Sequence, residues 1–333
     1  VSALPRRRKI RVLAIGILSA VALTGCAATA APSASLGPTA PRTKALSIDN
    51  CGTTVTFPKT APKRVVTIKS TSTEMLLALG LGNRIVGTAF QDGPVPAQWK
   101  AQAAKLPVLS SNVPSQEVTL AAEPDLIYAG WESNLSADGA GTRSDLQSLG
   151  ISTYVSPSAC KEVGYQPAKL SFTDVFDEIG QVAKIFHVSD RKVLADQRAT
   201  LASIHKDTRG LTALWFSSGS STPYVGAGIG APQLIMNTIG LGNIAASVKD
   251  TWTSFNWESV VQDNPDVIVL VDASWSTAAK KMSLLEGNPA TANLPAVKNH
   301  RYLIVPFAAS EAGVRTASAA KDLSAQLAKI NLK

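Results

Sequence analysis

Histidine and cysteine are scarce in this sequence, with three of each among 333 residues. None of the histidines (His187, His205, His300) has a second histidine three or four positions on, so the paired imidazoles of a zinc site are missing. No Cys-x-x-Cys occurs, and no Gly-x-Ser-x-Gly turn that would raise an esterase serine. These gaps argue against a hydrolase or transferase; no catalytic residue, metal ligand or cofactor is assigned. A basic surface is also missing. Arg6, Arg7, Arg8, Lys9 and Arg11 supply five of the eight net positive charges, and no basic stripe with interleaved aromatics follows, which excludes a nucleic-acid partner. A charged share of 17% with a hydrophobic share of 45% fits a folded α/β chain, not a disordered one.

The basic residues instead open an export signal. Residues 12–23 form an apolar segment too short to cross a bilayer, where about 20 residues are needed. It ends in Leu23-Thr24-Gly25-Cys26, which looks like a bacterial lipobox. The reading is a signal peptide over 1–25, lipidation at Cys26, and an extracytoplasmic chain held to the membrane by acyl groups. An ordinary secretory peptide with a stray cysteine is the alternative. Residues 26–45, rich in Ala, Pro, Ser, Gly and Thr, bury nothing and read as a flexible tether. Outside the reducing cytosol, Cys51 and Cys160 are expected to form a disulfide, two separate thiols being the other reading.

Two short signatures occur twice. Glu117 and Glu258 each open a Glu-x6-Pro-Asp-[Leu/Val]-Ile segment, and Gly-Leu-Gly-Asn stands at 80–83 and again at 240–243. Proline cannot continue a helix and pushes its predecessor toward extended backbone. The apolar run behind each Pro-Asp suits a strand buried on both faces. Two α/β halves of related design follow from this, or else a chance recurrence of α/β punctuation.

In chain order, residues 46–57 alternate around Asn50-Cys51-Gly52 as a hairpin. Strands are expected at 64–69, 84–89, 107–110, 126–129 and 152–156, with helices at 72–79, 116–122 and 143–149. The rhythm stops at 171–209, where Phe172, Val175, Phe176, Ile179, Val182, Ala183 and Phe186 recur at helical spacing behind a Ser171/Asp174 capping box. A helix of that length would reach roughly 50 Å, with Ser189 and Asp190 marking a kink or restart. The second half resumes with strands at 211–216, 267–271 and 302–305 and helices at 231–239, 258–262 and 316–330. The expected domains are therefore an α/β lobe over 46–170, an interlobe helix over 171–209 and a second α/β lobe over 210–333.

The lipobox, the tether, an Arg-Val-Val strand after Pro62-Lys63, a Glu-x6-Pro-Asp motif in each lobe and the helix between them resemble class III substrate-binding proteins. These are the ferric-siderophore, haem and cobalamin receptors of ABC importers. The resemblance covers residues 46–333 and implies two Rossmann-like lobes joined by one long helix. It also implies a monomer that passes a small molecule to a permease and its ATPase, with Glu117 and Glu258 docking onto permease arginines. A carboxylate is favoured at a helix start by the helix dipole, so the same two residues can equally serve local stability. Five further segments (130–134, 139–143, 158–161, 222–232 and 310–315) resemble a small set of actinobacterial binding proteins. Those are proposed to import the deazaflavin redox coenzyme precursor that lacks its glutamate tail.

Ligands of open α/β sheets sit beyond the carboxyl ends of the strands. The loops there yield Lys69, Ser70, Phe90, Trp131, Glu132, Asn134, Arg143, Ser217, Tyr224, Trp252, Trp275 and Arg315 as candidate ligand contacts, with Trp257 and Phe307 nearby. Indoles stack on flat π-systems, and Lys69, Arg143, Lys161 and Arg315 are the cations available to an anion. The mixture suits a small, planar, anionic ligand, the deazaflavin precursor first and a ferric siderophore, haem or corrinoid second. Gly226-Ala227-Gly228-Ile229-Gly230-Ala231 fits a loose G-x-G-x-x-A form; it offers backbone N–H groups to a phosphate or is a plain turn into a helix. A surface adhesin or structural lipoprotein is the non-transport alternative.

Overall fold

The computed structural model describes residues 45–332. The expected signal peptide (1–25), Cys26 and the tether up to residue 44 lie outside the described residues. The hairpin forms from β1 (Leu46–Asn50) and β2 (Thr53–Phe57), with Asn50 opposite Thr53. Its two turn residues, Cys51 and Gly52, both take positive φ (53° and 76°), the geometry that matches the twist of the flanking strands. Cys51 is bonded to Cys160 across a Cα–Cα distance of 5.2 Å, tying the turn to the segment that leaves the first sheet.

Five parallel strands follow: β3 (Val65–Ile68), β4 (Ile85–Ala89), β5 (Val108–Ser110), β6 (Leu126–Ala129) and β7 (Ser152–Val155), in spatial order β5-β4-β3-β6-β7. Helices α1 (Ser70–Ala78), α2 (Lys100–Ala103), α3 (Gln116–Ala121) and α4 (Arg143–Ser148) connect them. Both faces of the sheet are covered, so alternate residues enter different cores. Val65, Leu126, Tyr128 and Tyr154 pack on one side, and Val66, Ile68, Ile127 and Val155 on the other.

The helical stretch is two helices, not one rod. α5 (Phe172–Phe186) starts at the anticipated capping box, with Ser171 Oγ accepting the Asp174 N–H (3.3 Å) and the Asp174 carboxylate accepting the Ser171 N–H (2.7 Å). It buries Val175, Ile179 and Val182 against the first sheet. It ends where His187 turns left-handed (φ 55°) and the Val188 N–H reaches back to Ala183 O at 3.0 Å, closing a Schellman end. α6 (Arg191–Ala202) restarts beyond the polar Ser189-Asp190 pair. The expected 50 Å span is thus split into about 22 Å and about 18 Å.

The second sheet contains β8 (Thr212–Ser218), β9 (Tyr224–Gly226), β10 (Gly242–Asn243), β11 (Trp252–Ser254), β12 (Val267–Asp272) and β13 (Tyr302–Pro306), ordered β11-β9-β8-β12-β13 with β10 also on β8. β8, β10, β12 and β13 are parallel, while β9 and β11 form an antiparallel ribbon along the edge of β8. Helices α7 (Ala231–Ile239) and α11 (Thr316–Leu327) cover one face, and α8 (Trp257–Asp263), α9 (Ala278–Gly287) and α10 (Pro295–Lys298) the other.

Both repeated signatures are the same device built twice. After α3 the chain reverses at left-handed Glu123 (φ 45°), and after α8 at left-handed Asn264 (φ 43°). The aspartate of each Pro-Asp then clamps the start of the adjacent central strand. Asp125 accepts the N–H groups of Lys63 and Arg64 (2.7 and 3.0 Å), and Asp266 accepts the N–H of Thr212 (2.8 Å). The Gly-Leu-Gly-Asn segments end α1 and α7 alike: Leu81 N–H returns to Leu76 O (2.8 Å) and Leu241 N–H to Met236 O (2.9 Å).

Candidate functional site

The carboxyl ends of β3, β6, β8 and β13 converge on a cavity of about 340 Å³, at the lower end of the range for small-molecule sites, about 300–1,000 Å³. The first half lines it with Thr71, Gly130, Trp131, Glu132, Ser133, the 158–161 turn, Pro167 and Leu170. The second half supplies Ser217, Ser218, Tyr224, Gly230, Thr251, Trp252, Trp275, Phe307, Ser310 and Glu311.

One wall is paved with rings. The β9/β11 ribbon sets Tyr224 and Trp252 as diagonal neighbours, 6.4 Å apart between centroids and 14° from parallel. Phe307, from the end of β13, continues the row at 6.2 Å and 12° from Trp252. Trp275 and Trp131 meet Phe307 edge-on at 5.6 and 6.3 Å. Near-parallel rings in a row make a continuous apolar wall that a flat π-system can lie against.

Beneath that wall lies a buried group of charges. Lys69, at the end of β3, takes φ 80° and ψ 153°, backbone that glycine ordinarily occupies. Its N–H donates to Ala89 O (3.0 Å) and its ammonium pairs with Asp92. The same ammonium lies 3.7 Å from the Trp131 ring centroid, 4.4 Å from Phe90 and 4.8 Å from Phe307. Asp92 is in turn fixed by the Ser70 N–H (3.1 Å). Gly130 must be glycine here, because a Cβ would come within 2.7 Å of Lys69 Cβ.

Side chains from the two halves meet across the cleft. Trp131 Nε1 donates to Glu311 (2.7 Å), Arg315 pairs with Glu74 (3.2 Å) and Lys161 pairs with Asp250 (3.2 Å). Burial pushes the Glu74 carboxyl up to about 7 despite the Arg315 guanidinium beside it. Burial likewise raises Glu311 to about 7, against the pull of Lys69. The Tyr224 phenol is raised first by burial and then by the carboxylates of Asp250 and Glu311.

Of the residues singled out in the sequence, Trp131, Glu132, Ser217, Tyr224, Trp252 and Trp275 line the cavity. Lys69, Ser70, Phe90, Asn134 and Arg315 stand behind the lining and hold it in place. Asn134, for instance, is 1% exposed and accepts the Trp131 N–H (3.1 Å). Arg143 is elsewhere: it donates to Asn50 O (2.7 Å), Asn50 Oδ1 and Thr153, bracing the hairpin turn. Anion-binding by Lys69 and Arg315 is therefore not what the geometry offers, since each has a buried carboxylate partner, while Lys161 lines the cavity in a half-exposed pair with Asp250. Trp257 belongs to the core, edge-on to Phe216 at 5.3 Å with its Nε1 donating to Ser220 O. In the Gly226–Ala231 loop only Gly230 and Ala231, at the start of α7, reach the cavity. The N–H groups of Ala227, Gly228 and Ile229 donate to the carbonyls of Thr251, Val248 and Asp250. Glu311 and Thr251 were outside the candidate set; the strand-end rule reaches Glu311 once the loop after β13 is followed past Phe307.

Glu117 and Glu258 occupy matching places, each exposed in the first turn of its helix behind a capping side chain, Ser115 and Asn256.

Across 328 residues the chain is 25% identical to an uncharacterised ABC transporter substrate-binding lipoprotein of Bacillus subtilis, covering 96% of each. A crystal structure of a periplasmic binding protein from Veillonella parvula is similar with a TM-score of 0.75 and 27% identity, over 86% of this chain and 98% of that one. A structure from Saccharomonospora viridis, described as an ABC-type Fe3+-hydroxamate transport system, matches with a TM-score of 0.73 and 24% identity, over 84% and 98%. These relatives are transport and binding proteins rather than enzymes. The segment that matches the periplasmic binding protein family, residues 65–309, runs from the first strand of the parallel sheet to the turn after the last strand, and the chain belongs to that family.

Proposed function

We propose that this chain is the capture component of an ABC importer, holding a flat, conjugated small molecule in the aromatic cleft and delivering it to a permease and its ATPase. The observation that carries the reading is the row of Tyr224, Trp252 and Phe307 along a cavity lined from both halves. In this reading the protein is a lipid-anchored monomer on the extracytoplasmic face, tethered through Cys26, as the name of the Bacillus subtilis relative suggests. Glu117 and Glu258 dock on the permease, each in the same position of its own half.

The deazaflavin precursor without its glutamate tail is the first ligand to test. Its ring would lie on the aromatic wall, and its anionic tail would have to leave the cavity toward Lys161, the one lining cation. A ferric siderophore, haem or corrinoid is the second reading, supported by the Fe3+-hydroxamate description of the Saccharomonospora viridis relative. For haem, Tyr224 is the only phenol in the lining, which holds no histidine or methionine. Its raised pKa works against the phenolate that ferric iron prefers. Tryptophan-fluorescence titration with each ligand tests the reading: saturable quenching by one of them, shifted to much higher ligand concentration in Trp252→Ala, is expected. An affinity unchanged by this substitution would place the ligand elsewhere.

A further inference from the structure

The charges around the cleft do not balance. Five carboxyls (Glu74, Asp92, Glu132, Asp250 and Glu311) stand against four cations, Lys69, Lys161, Arg315 and Arg143, the last acting on Glu132 from behind the lining. Lys69, Lys161 and Arg315 each have a carboxylate of their own, so the surplus falls on Glu311. Glu132 Oε2 accepts the backbone N–H of Lys161 (2.6 Å). Glu311 is only 9% exposed, and one of its oxygens accepts the Trp131 N–H. The Thr71 hydroxyl, in the same lining, is buried without a partner. Aromatic faces attract cations, and a desolvated carboxylate strengthens that preference.

We infer that the cleft is built for a flat heteroaromatic ligand bearing positive charge, with its charged edge turned inward to Glu311 and Thr71 and its ring on Trp252. The inference rests on the reading of this cleft as the ligand site, and it departs from the anionic ligand expected from the sequence. A cation in that position adds to the pull of Lys69, which Glu311 shares with Asp92, and the aromatic row supplies its face. An anion would meet Glu311 and find one cation in the lining, Lys161, already paired with Asp250.

Proton linkage gives the sign of the effect. Glu311 titrates near neutrality and faces Lys69 from the end of β3, Asp92 from the loop after β4 and the indole of Trp131 after β6. A bound cation draws its proton off, whereas a bound anion takes one up. Glu74 titrates in the same range but sits behind Arg315 and does not line the cavity, so Glu311→Gln separates the two.

The test is equilibrium dialysis of the full chain against three flat tricyclic probes: proflavine (cationic), lumichrome (neutral) and flavin mononucleotide (anionic). Proflavine is expected to bind at least tenfold more tightly than lumichrome, with flavin mononucleotide weakest. Glu311→Gln should reduce the proflavine-to-lumichrome ratio about tenfold, and Glu132→Gln a few-fold. Calorimetry in buffers of different ionisation enthalpy should show proton release on proflavine binding at pH 7 to the unmodified protein. If flavin mononucleotide or lumichrome binds as well as proflavine, or if the protein takes up a proton, the inference falls while the cleft remains the ligand site. If none of the three binds, the cleft reading fails and takes the inference with it.

Discussion

The two halves share a scaffold but not a chemistry. Each central strand is clamped by a Pro-Asp aspartate, each first helix leaves through Gly-Leu-Gly-Asn, and each half exposes a glutamate at the start of a short helix. The cleft walls differ. The five-stranded sheet of the first half is purely parallel, and that half contributes Thr71 and Trp131 to the lining, with the Lys69–Asp92 pair behind them. The second half adds the antiparallel β9/β11 ribbon and the Trp275 turn, neither of which has a counterpart in the first, and these carry most of the rings. What is repeated holds the strands in register; what is not repeated lines the cleft. The same split governs stability, since the first half carries the Cys51–Cys160 bond and the second has no disulfide among the described residues.

The likeness of the two halves is open to test at several residues. If the matching acids are the docking points, Glu117→Ala with Glu258→Ala abolishes uptake into cells while ligand affinity is unchanged; uptake at the normal rate would reduce the match to a structural coincidence. Cys51→Ser with Cys160→Ser opens a loop of 109 residues and should cost about 4 kcal/mol in urea unfolding, confined to the first half. Equal loss of protection in both sheets would show that they do not unfold separately. Between the walls, Trp252→Ala should weaken ligand binding by about 100-fold through lost stacking area, and Thr71→Val by only a few-fold. The clamps should be equivalent: Asp125→Ala and Asp266→Ala each cost about 2 kcal/mol, the worth of hydrogen bonds to a charged acceptor. A near-zero result at one site would make the repeat nominal there.

The smallest effect lies at the seam between the halves. Glu74 and Glu311 both have folded pKa values near 7, above their ordinary 4.5. Their contribution to stability is fully present below pH 4.5 and is lost as pH rises through 7. The melting temperature should therefore fall between about pH 4.5 and 7, and Glu74→Gln or Glu311→Gln should flatten that slope. A slope unchanged in both variants would assign the titration to other groups.

Much of the scaffold is legible in the sequence because its signals are local. Pro-Asp before an apolar run locates β6 and β12, and the Ser171/Asp174 box locates the start of α5. The errors arise where local signal is weak or misleading. β9 and β11 are three residues each and are held by cross-strand pairing, not by their own pattern. α9 is obscured because Lys281 occupies a core position, its ammonium donating to Val271 O and Ser276 O and so closing the turn that carries Trp275. The rod breaks at a histidine, a residue with no marked preference for ending helices. In the site, the strand-end rule locates the rings, but the state of the cations depends on partners distant in sequence. Asp92 lies 23 residues from Lys69, and Glu74 lies 241 residues from Arg315. No short window of sequence reveals that those charges are already neutralised.

The most direct test is hydrogen–deuterium exchange of the full chain with and without a saturating probe, proflavine or the deazaflavin precursor. A ligand held between the halves is expected to slow exchange at 130–134 and at 251–254 together. Slowing in one of these segments alone, or in neither, would contradict a cleft that both halves close upon.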